Sequence, residues 1–297
     1  MKNPRTWTFI AVIVGLFILA QRLPLFKVAL PVVRLPAENV HVFGLPIPNT
    51  MLATWIGMLI IVGLSYLAVN NMELVPKGVQ NLIEWTIEAF YNLVESVVGE
   101  HAPRFFPLAM TIFLLVLVVN WMELVPGMDS IGLLERAHEG QTGYEVTQAG
   151  PLGLLTGTKV EREGFVVTPF VRTASTDLNL TFALALISVI TCQYVGLKAL
   201  GLGYIKKFFN TNGIWSLVGI LEFISEIFKI IAFAFRLFGN LFAGQILLFV
   251  IPFLIPYLAP MPFYALEVFI GAIQAFIFAM LTLVFLKMAT EAHVGVD

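Results

Sequence analysis

The side chains best placed to do chemistry in this 297-residue chain are a few charged and amide groups set inside long apolar runs. Arg236 is the foremost of them. It sits in a stretch of Ile, Leu, Phe and Ala, and no Asp or Glu occurs between Ile227 and Leu266. A guanidinium keeps its proton at any ordinary pH. Placing it at the centre of a membrane helix costs about 2.5–3.5 kcal/mol on insertion scales. Its counter-charge must come from another helix or another chain, and the chemistry it suits is to hold and release a neighbour's carboxylate. At about 100° per residue, Glu222, Glu226, Lys229, Arg236 and Asn240 fall within about 40° of one line on a helix, with Ala232, Gly239 and Ala243 on or beside it. Small residues on such a stripe let another helix approach closely.

The remaining candidates are polar residues at membrane depth that could line aqueous routes for a proton. They are Asn240, Gln245, Glu267 and Gln274 on the last two long helices, with Asp177, Asn179, Glu222 and Glu226 nearer helix ends. Glu267 is the one titratable group deep in the last helix, and neither long helix contains a histidine. Each candidate has a plainer reading. Arg236 could snorkel or make a static pair, and Glu267 could be a structural acid bonded to Gln245. Lys229 and Glu226 could simply pair at i,i+3, and Asp177 and Asn179 suit a helix cap as well as a channel wall.

The elements that position these groups follow from hydropathy. The chain is 59% hydrophobic and only 12% charged, against about 25% charged in a soluble domain. Its fold class is an all-α polytopic membrane protein with five to six membrane helices and one surface amphipathic helix. A net charge of −2 gives no basis for a nucleic-acid partner. The single Cys192 cannot form an intrachain disulfide, and no metal motif or nucleotide-binding glycine loop is present. No cofactor is expected, and the chain is not catalytic alone.

Residues 1–22 form an apolar segment after Lys2 and Arg5, either signal-like or a retained span; retention is expected. Residues 23–50 read as an extended or hairpin segment outside the membrane. Residues 51–126 hold a span (51–69), an amphipathic helix (77–100) and a second span (105–122). The run from Val69 to Pro76 nearly recurs from Val119 to Pro126. Residues 127–172 read as a polar extramembrane loop with hairpin potential. Residues 173–297 hold the channel-forming helices: a span to Leu197, a long helix over 214–250, a turn around Pro252, Pro256, Pro260 and Pro262, and a second long helix over 263–288. Thirty-seven helical residues measure about 55 Å against a hydrocarbon core of about 30 Å, so the 214–250 helix must tilt steeply or break, with Gly239 and Gly244 the expected bends. Lys2, Arg5, Lys77, Lys198, Lys206 and Lys207 suit a cytoplasmic side, which puts both termini there and the 127–172 loop outside.

Arg236-Leu237-Phe238-Gly239-Asn240, followed by Ala243-Gly244, resembles the signature of subunit a of F-type ATP synthases. The run from Thr173 to Thr181 and the run from Gln274 to Thr282 resemble the corresponding helices of that family. The resemblance covers roughly residues 40–290. It implies a proton-translocating stator subunit of a rotary ATP synthase in a bacterial plasma membrane, with its last two long helices tilted against the rotor. The implied partners are a ring of subunit c, whose carboxylates pass Arg236, and the subunit b peripheral stalk, with the rest of the synthase carrying the ATP chemistry. Family members often carry one acid and one His at the positions of Gln245 and Glu267, so the relay is reduced here to Glu267. The alternatives are a secondary transporter in which Arg236 binds an anionic substrate and a purely structural assembly subunit.

Overall fold

The computed structural model describes residues 37–42, 45–70, 72–125, 128, 131–136, 143–149, 152–160, 164–206, 208, 214–254 and 259–290. The expected helix at 1–22 lies outside these residues. The chain divides into two compact units. One comprises residues 35–132, 169–243 and 267–297; the other comprises 1–34, 133–168 and 244–266.

The larger unit opens with a hairpin of β1 (Asn39–Val42) and β2 (Leu45–Pro48), paired antiparallel from Asn39↔Pro48 to Val42↔Leu45. Helix α1 (Asn49–Asn70) follows directly. It is uniformly apolar and leaves Leu59, Val62, Tyr66 and Leu67 exposed, as a lipid-facing helix does. Helix α2 (Val79–Val98) is the expected amphipathic one: Phe90, Val94 and Val98 are buried, while Glu84, Glu88 and Glu95 lie elsewhere on the helix. A single 3-10 turn (Gly99–His101) joins it to α3 (Ala102–Met122). Another 3-10 turn (Ala174–Thr176) precedes α4 (Leu178–Leu200). Gly201, at φ 59° and ψ −143°, ends α4 in a conformation open to glycine, and the short α5 (Leu202–Lys206) turns back from it.

Two long helices close the fold: α6 (Ile214–Leu254) and α7 (Pro260–Thr290). Helix α6 runs 41 residues as one continuous helix through Gly239 and Gly244, which leaves tilt or bending, of the expected alternatives, to fit it in the membrane. The proline turn is also shorter than expected. Pro252 lies inside the last turn of α6, and Pro260 and Pro262 open α7, where a missing amide donor costs little because first-turn amides have no intrahelical partner.

The core of this unit has two layers. In one, Phe90, Val94 and Val98 of α2 meet Phe105 and Ala109 of α3 and Leu283 of α7. In the other, Phe233, Ala234, Leu237 and Leu241 of α6 pack with Ile112 and Val116 of α3, Ala185 of α4, and Ala275 and Phe278 of α7. The stretches Asn49–Asn70, Val79–Met122, Leu178–Leu200 and Pro260–Thr290 are each long and apolar enough to cross a membrane. The protein is a multi-pass, helical membrane protein.

Within the segment read as a polar loop with hairpin potential, the described residues of 132–169 form strands. Strands β3 (Gly132–Arg136), β4 (Gly143–Ala149), β5 (Leu152–Val160) and β6 (Phe165–Pro169) form a sheet in the order β3-β6-β4-β5. Strands β4 and β5 pair from Gly143↔Val160 to Ala149↔Leu152, with a register irregularity between Tyr144 and Val146. Short β-branched and glycine-punctuated strands of this kind lack the helical period that drew attention to the spans.

Candidate functional site

Helix α6 has two faces of opposite character. Phe233, Ala234, Leu237 and Leu241 point into the core. Ala232, Arg236, Gly239, Asn240 and Ala243 are exposed, and a Cβ at Gly239 would meet nothing within 4 Å. The one-turn recurrence of small residues on this face follows from the helical period. Among the described residues no carboxylate lies in ion-pair contact with Arg236. The arginine therefore stands on an exposed stripe of small residues, with no ion-pair partner among the described residues.

On the side toward the start of α6, a chain of hydrogen bonds ties three helices, and a cation–π contact adds a fourth. The Tyr204 hydroxyl on α5 donates to Gln193 Oε1 on α4 at 2.8 Å, and Gln193 Nε2 donates to Glu226 Oε2 on α6 at 2.7 Å. Lys229 Nζ donates to Glu226 Oε1 at 2.6 Å and lies 4.7 Å from the centroid of the Phe285 ring on α7. Burial pushes the Tyr204 phenol up to about 12, and the Glu226 carboxylate adds to the rise, so this hydroxyl stays a donor. Glu222 is half-buried one turn earlier. Gln193 and Tyr204 were not singled out from sequence; a glutamine in an otherwise apolar span was the available signal.

On the other side lies a layer of small neutral groups. Ser175 Oγ donates to Asn120 Oδ1 at 2.6 Å, and Asn120 Nδ2 donates to the Gly271 carbonyl on α7 at 3.2 Å. Trp121 Nε1 reaches the Val268 carbonyl at 3.1 Å. Glu267, one turn before Gly271, is buried, and its Oε1 has no hydrogen-bond partner among the described residues. Gln274 is buried on the same face. A buried carboxylate oxygen without a protein donor is the kind of group that takes up a proton or a water.

Asp177 has both oxygens engaged. Oδ1 accepts the Asn179 amide at 2.9 Å as the cap of α4, and Oδ2 accepts the Thr50 hydroxyl at 2.8 Å. Asn179 itself is exposed. Gln245 is buried and belongs to the other unit; on the helix it points about 180° from Arg236. Thus Glu267 and Gln274 lie one turn to either side of Gly271, the α7 residue that Asn120 bonds, with Ser175 bonded to Asn120 in turn, and Glu226 is paired with Lys229. Arg236 and Asn240 share a separate, open face.

A protein-family model described as ATP synthase A chain matches residues 51–287. A protein named ATP synthase subunit a from Moorella thermoacetica is 29% identical over 259 residues, covering 87% of this chain and 98% of that protein. Proteins of the same name from Gloeobacter violaceus and Syntrophobacter fumaroxidans are each 31% identical, over 82% and 81% of this chain and 85% and 84% of their own lengths. A match across this much of the sequence, spanning the arginine stripe and both polar layers, shows that the chain belongs to the ATP synthase A chain family and is a subunit a component of the ATP synthase.

Proposed function

We propose that this chain is the proton-translocating stator subunit of a rotary ATP synthase in a bacterial plasma membrane, and that Arg236 is its coupling charge. The observation that carries this is the open stripe of small residues bearing a cation with no ion-pair partner among the described residues. A ring of subunit c carries the complementary carboxylates, and subunit b holds this chain in place as the peripheral stalk. A rotor carboxylate beside Arg236 is favoured in its ionised form; once it moves into lipid, protonation is favoured. Each carboxylate must lose a proton on approach and regain one on leaving. Two offset half-channels, one from each side of the membrane, turn that requirement into rotation. One runs along Glu267 and Gln274, joined by Asn120 and Ser175, with Asp177 and Asn179 near its mouth and Gln245 beside the second long helix. The other opens past Glu222 and Glu226 toward Asn240. Both long helices tilt against the ring, which accommodates an α6 of about 60 Å in a core of about 30 Å.

The transporter alternative gains nothing here, because α6 and α7 are unbroken and paired broken helices are its hallmark. The test is ATP-driven proton pumping in vesicles, comparing wild type with Arg236→Ala and Arg236→Lys, with assembly verified by co-purification of the other subunits. Both variants should assemble and fail to pump. Pumping by a fully assembled Arg236→Ala complex would reduce the arginine to a structural role.

A further inference from the structure

Glu226 carries features that set it apart from a channel-wall acid. Both of its oxygens are committed to fixed donors, Gln193 and Lys229, at 2.7 and 2.6 Å. Gln193 is in turn held by the Tyr204 hydroxyl. Tyr204 owes its position to Gly201, which turns the chain, and to Gly196, where a Cβ would stand 2.6 Å from the Tyr204 ring. On the far side, Lys229 rests on Phe285, whose ring packs on Phe233 of α6 at 5.5 Å. The pair is mostly shielded, with side-chain exposures of 27% for Lys229 and 13% for Glu226. A carboxylate so bonded must break two charge-assisted hydrogen bonds to accept a proton. It makes a poor relay and a good strut.

We propose that Tyr204, Gln193, Glu226 and Lys229 form a strut that fixes the rotation of α6 about its own axis, and so fixes the direction in which Arg236 points at the rotor. Lys229 lies seven residues before Arg236, about 10 Å along the helix and close to the same face. Cross-links from α4 and α7 reach that turn directly, and α5 reaches it through Gln193. A rotor passing Arg236 exerts a sideways load on the stripe, and a helix held only by apolar contacts can roll under it. The strut opposes that roll with directional bonds. This makes Glu226 and Lys229 positioning residues for the coupling charge. The proposal rests on the coupling role of Arg236 given above.

The experiment measures protons pumped per ATP hydrolysed by the assembled synthase in vesicles. The variants are Glu226→Gln, Lys229→Gln, Tyr204→Phe and the exchange Glu226→Lys with Lys229→Glu. The expected result is a ratio lowered about threefold or more in Glu226→Gln, since small misplacements of an acting group carry large rate penalties. The exchange should regain at least half of it. An unchanged ratio in assembled Glu226→Gln would overturn the strut. So would an exchange no better than the weaker single variant, because that means an acid is needed at 226 itself, as in a proton route. If Glu226→Gln does not assemble, unchanged ratios in both Lys229→Gln and Tyr204→Phe overturn it equally. Arg236→Ala, measured alongside, separates the two readings. A pumping Arg236→Ala complex removes the coupling role, whereas a silent one beside a fully coupled Glu226→Gln complex removes the strut alone.

Discussion

The two polar layers that flank the α6 core contacts are built from opposite materials. The layer at Glu226 uses long charged and amide side chains, each with its bonding atoms taken. The layer at Asn120 uses a serine, an amide and a helix carbonyl, and leaves one oxygen of a buried acid without a protein partner. They attach to α7 at Phe285 and Gly271, 14 residues apart, or about 21 Å. The Phe233–Phe278 contact, at 4.8 Å, lies between them. Saturated bonding holds helices in register, whereas incomplete bonding leaves a group able to change protonation. The bonding on the two sides of the arginine is therefore unequal: both Glu226 oxygens are taken, and one Glu267 oxygen is without a partner among the described residues.

The sharpest way to break this contrast is Glu267→Gln. It keeps size and hydrogen-bonding capacity and removes titration. Proton pumping by the assembled complex should fall about tenfold or more, in the range expected when a proton-transferring group is lost. The loss in Glu226→Gln should be smaller and should appear as slip, with hydrolysis continuing. Equal losses with equal hydrolysis would erase the distinction between the two acids. Next in size is Gly196→Ala. Its Cβ would meet Tyr204 at 2.6 Å and the Ala289 carbonyl at 3.1 Å, and overpacking of this kind costs about 1–3 kcal/mol. Thermal unfolding of the purified complex should register it, together with the same slip as the strut variants. Wild-type values for both would mean the Tyr204 position carries no load.

Asn120→Leu tests the other layer, and it also shows where sequence reading stopped. The substitution leaves the buried Ser175 hydroxyl without its acceptor, which costs about 1–2 kcal/mol; thermal melting of the complex measures it. Asn120 was not legible as a site because the chain contains its near twin. Val69 to Pro76 and Val119 to Pro126 share the Met-Glu-Leu-Val-Pro ending. Yet Asn70 and Glu73 are exposed, and Glu73 makes a surface pair with Lys77 at 3.3 Å, while Asn120 and Glu123 are buried. Identical local chemistry takes its environment from distant partners, here α7 and the turn before α4. The spans, the amphipathic helix and the arginine stripe were legible because a helical period and an uncompensated charge are written in neighbouring residues. The sheet of residues 132–169, the strut and the Asn120 layer depend on contacts across 50 residues or more for the last, or on short strands without a marked period.

The smallest expected effect tests whether the two layers are separate at all. Between them on both α4 and α7 lies a buried pair, Ser188 and Thr282, with oxygens 2.8 Å apart. Thr282 Oγ1 gives its proton to the Phe278 carbonyl at 2.9 Å, so Ser188 must be the donor to Thr282. Both protons of the pair are thereby assigned, and a proton could cross it only if both hydroxyls turned together. The pair is then a neutral bond between α4 and α7, and it is expected to take no part in conduction. A double-mutant cycle of Ser188→Ala and Thr282→Val on complex stability should give a coupling of about 0.6 kcal/mol, the average for such bonds in membranes. Pumping should be unchanged. A pumping change with little stability change would mean that the polar seam from Ser175 to Gln193 conducts. The two layers would then belong to one path rather than to two offset half-channels.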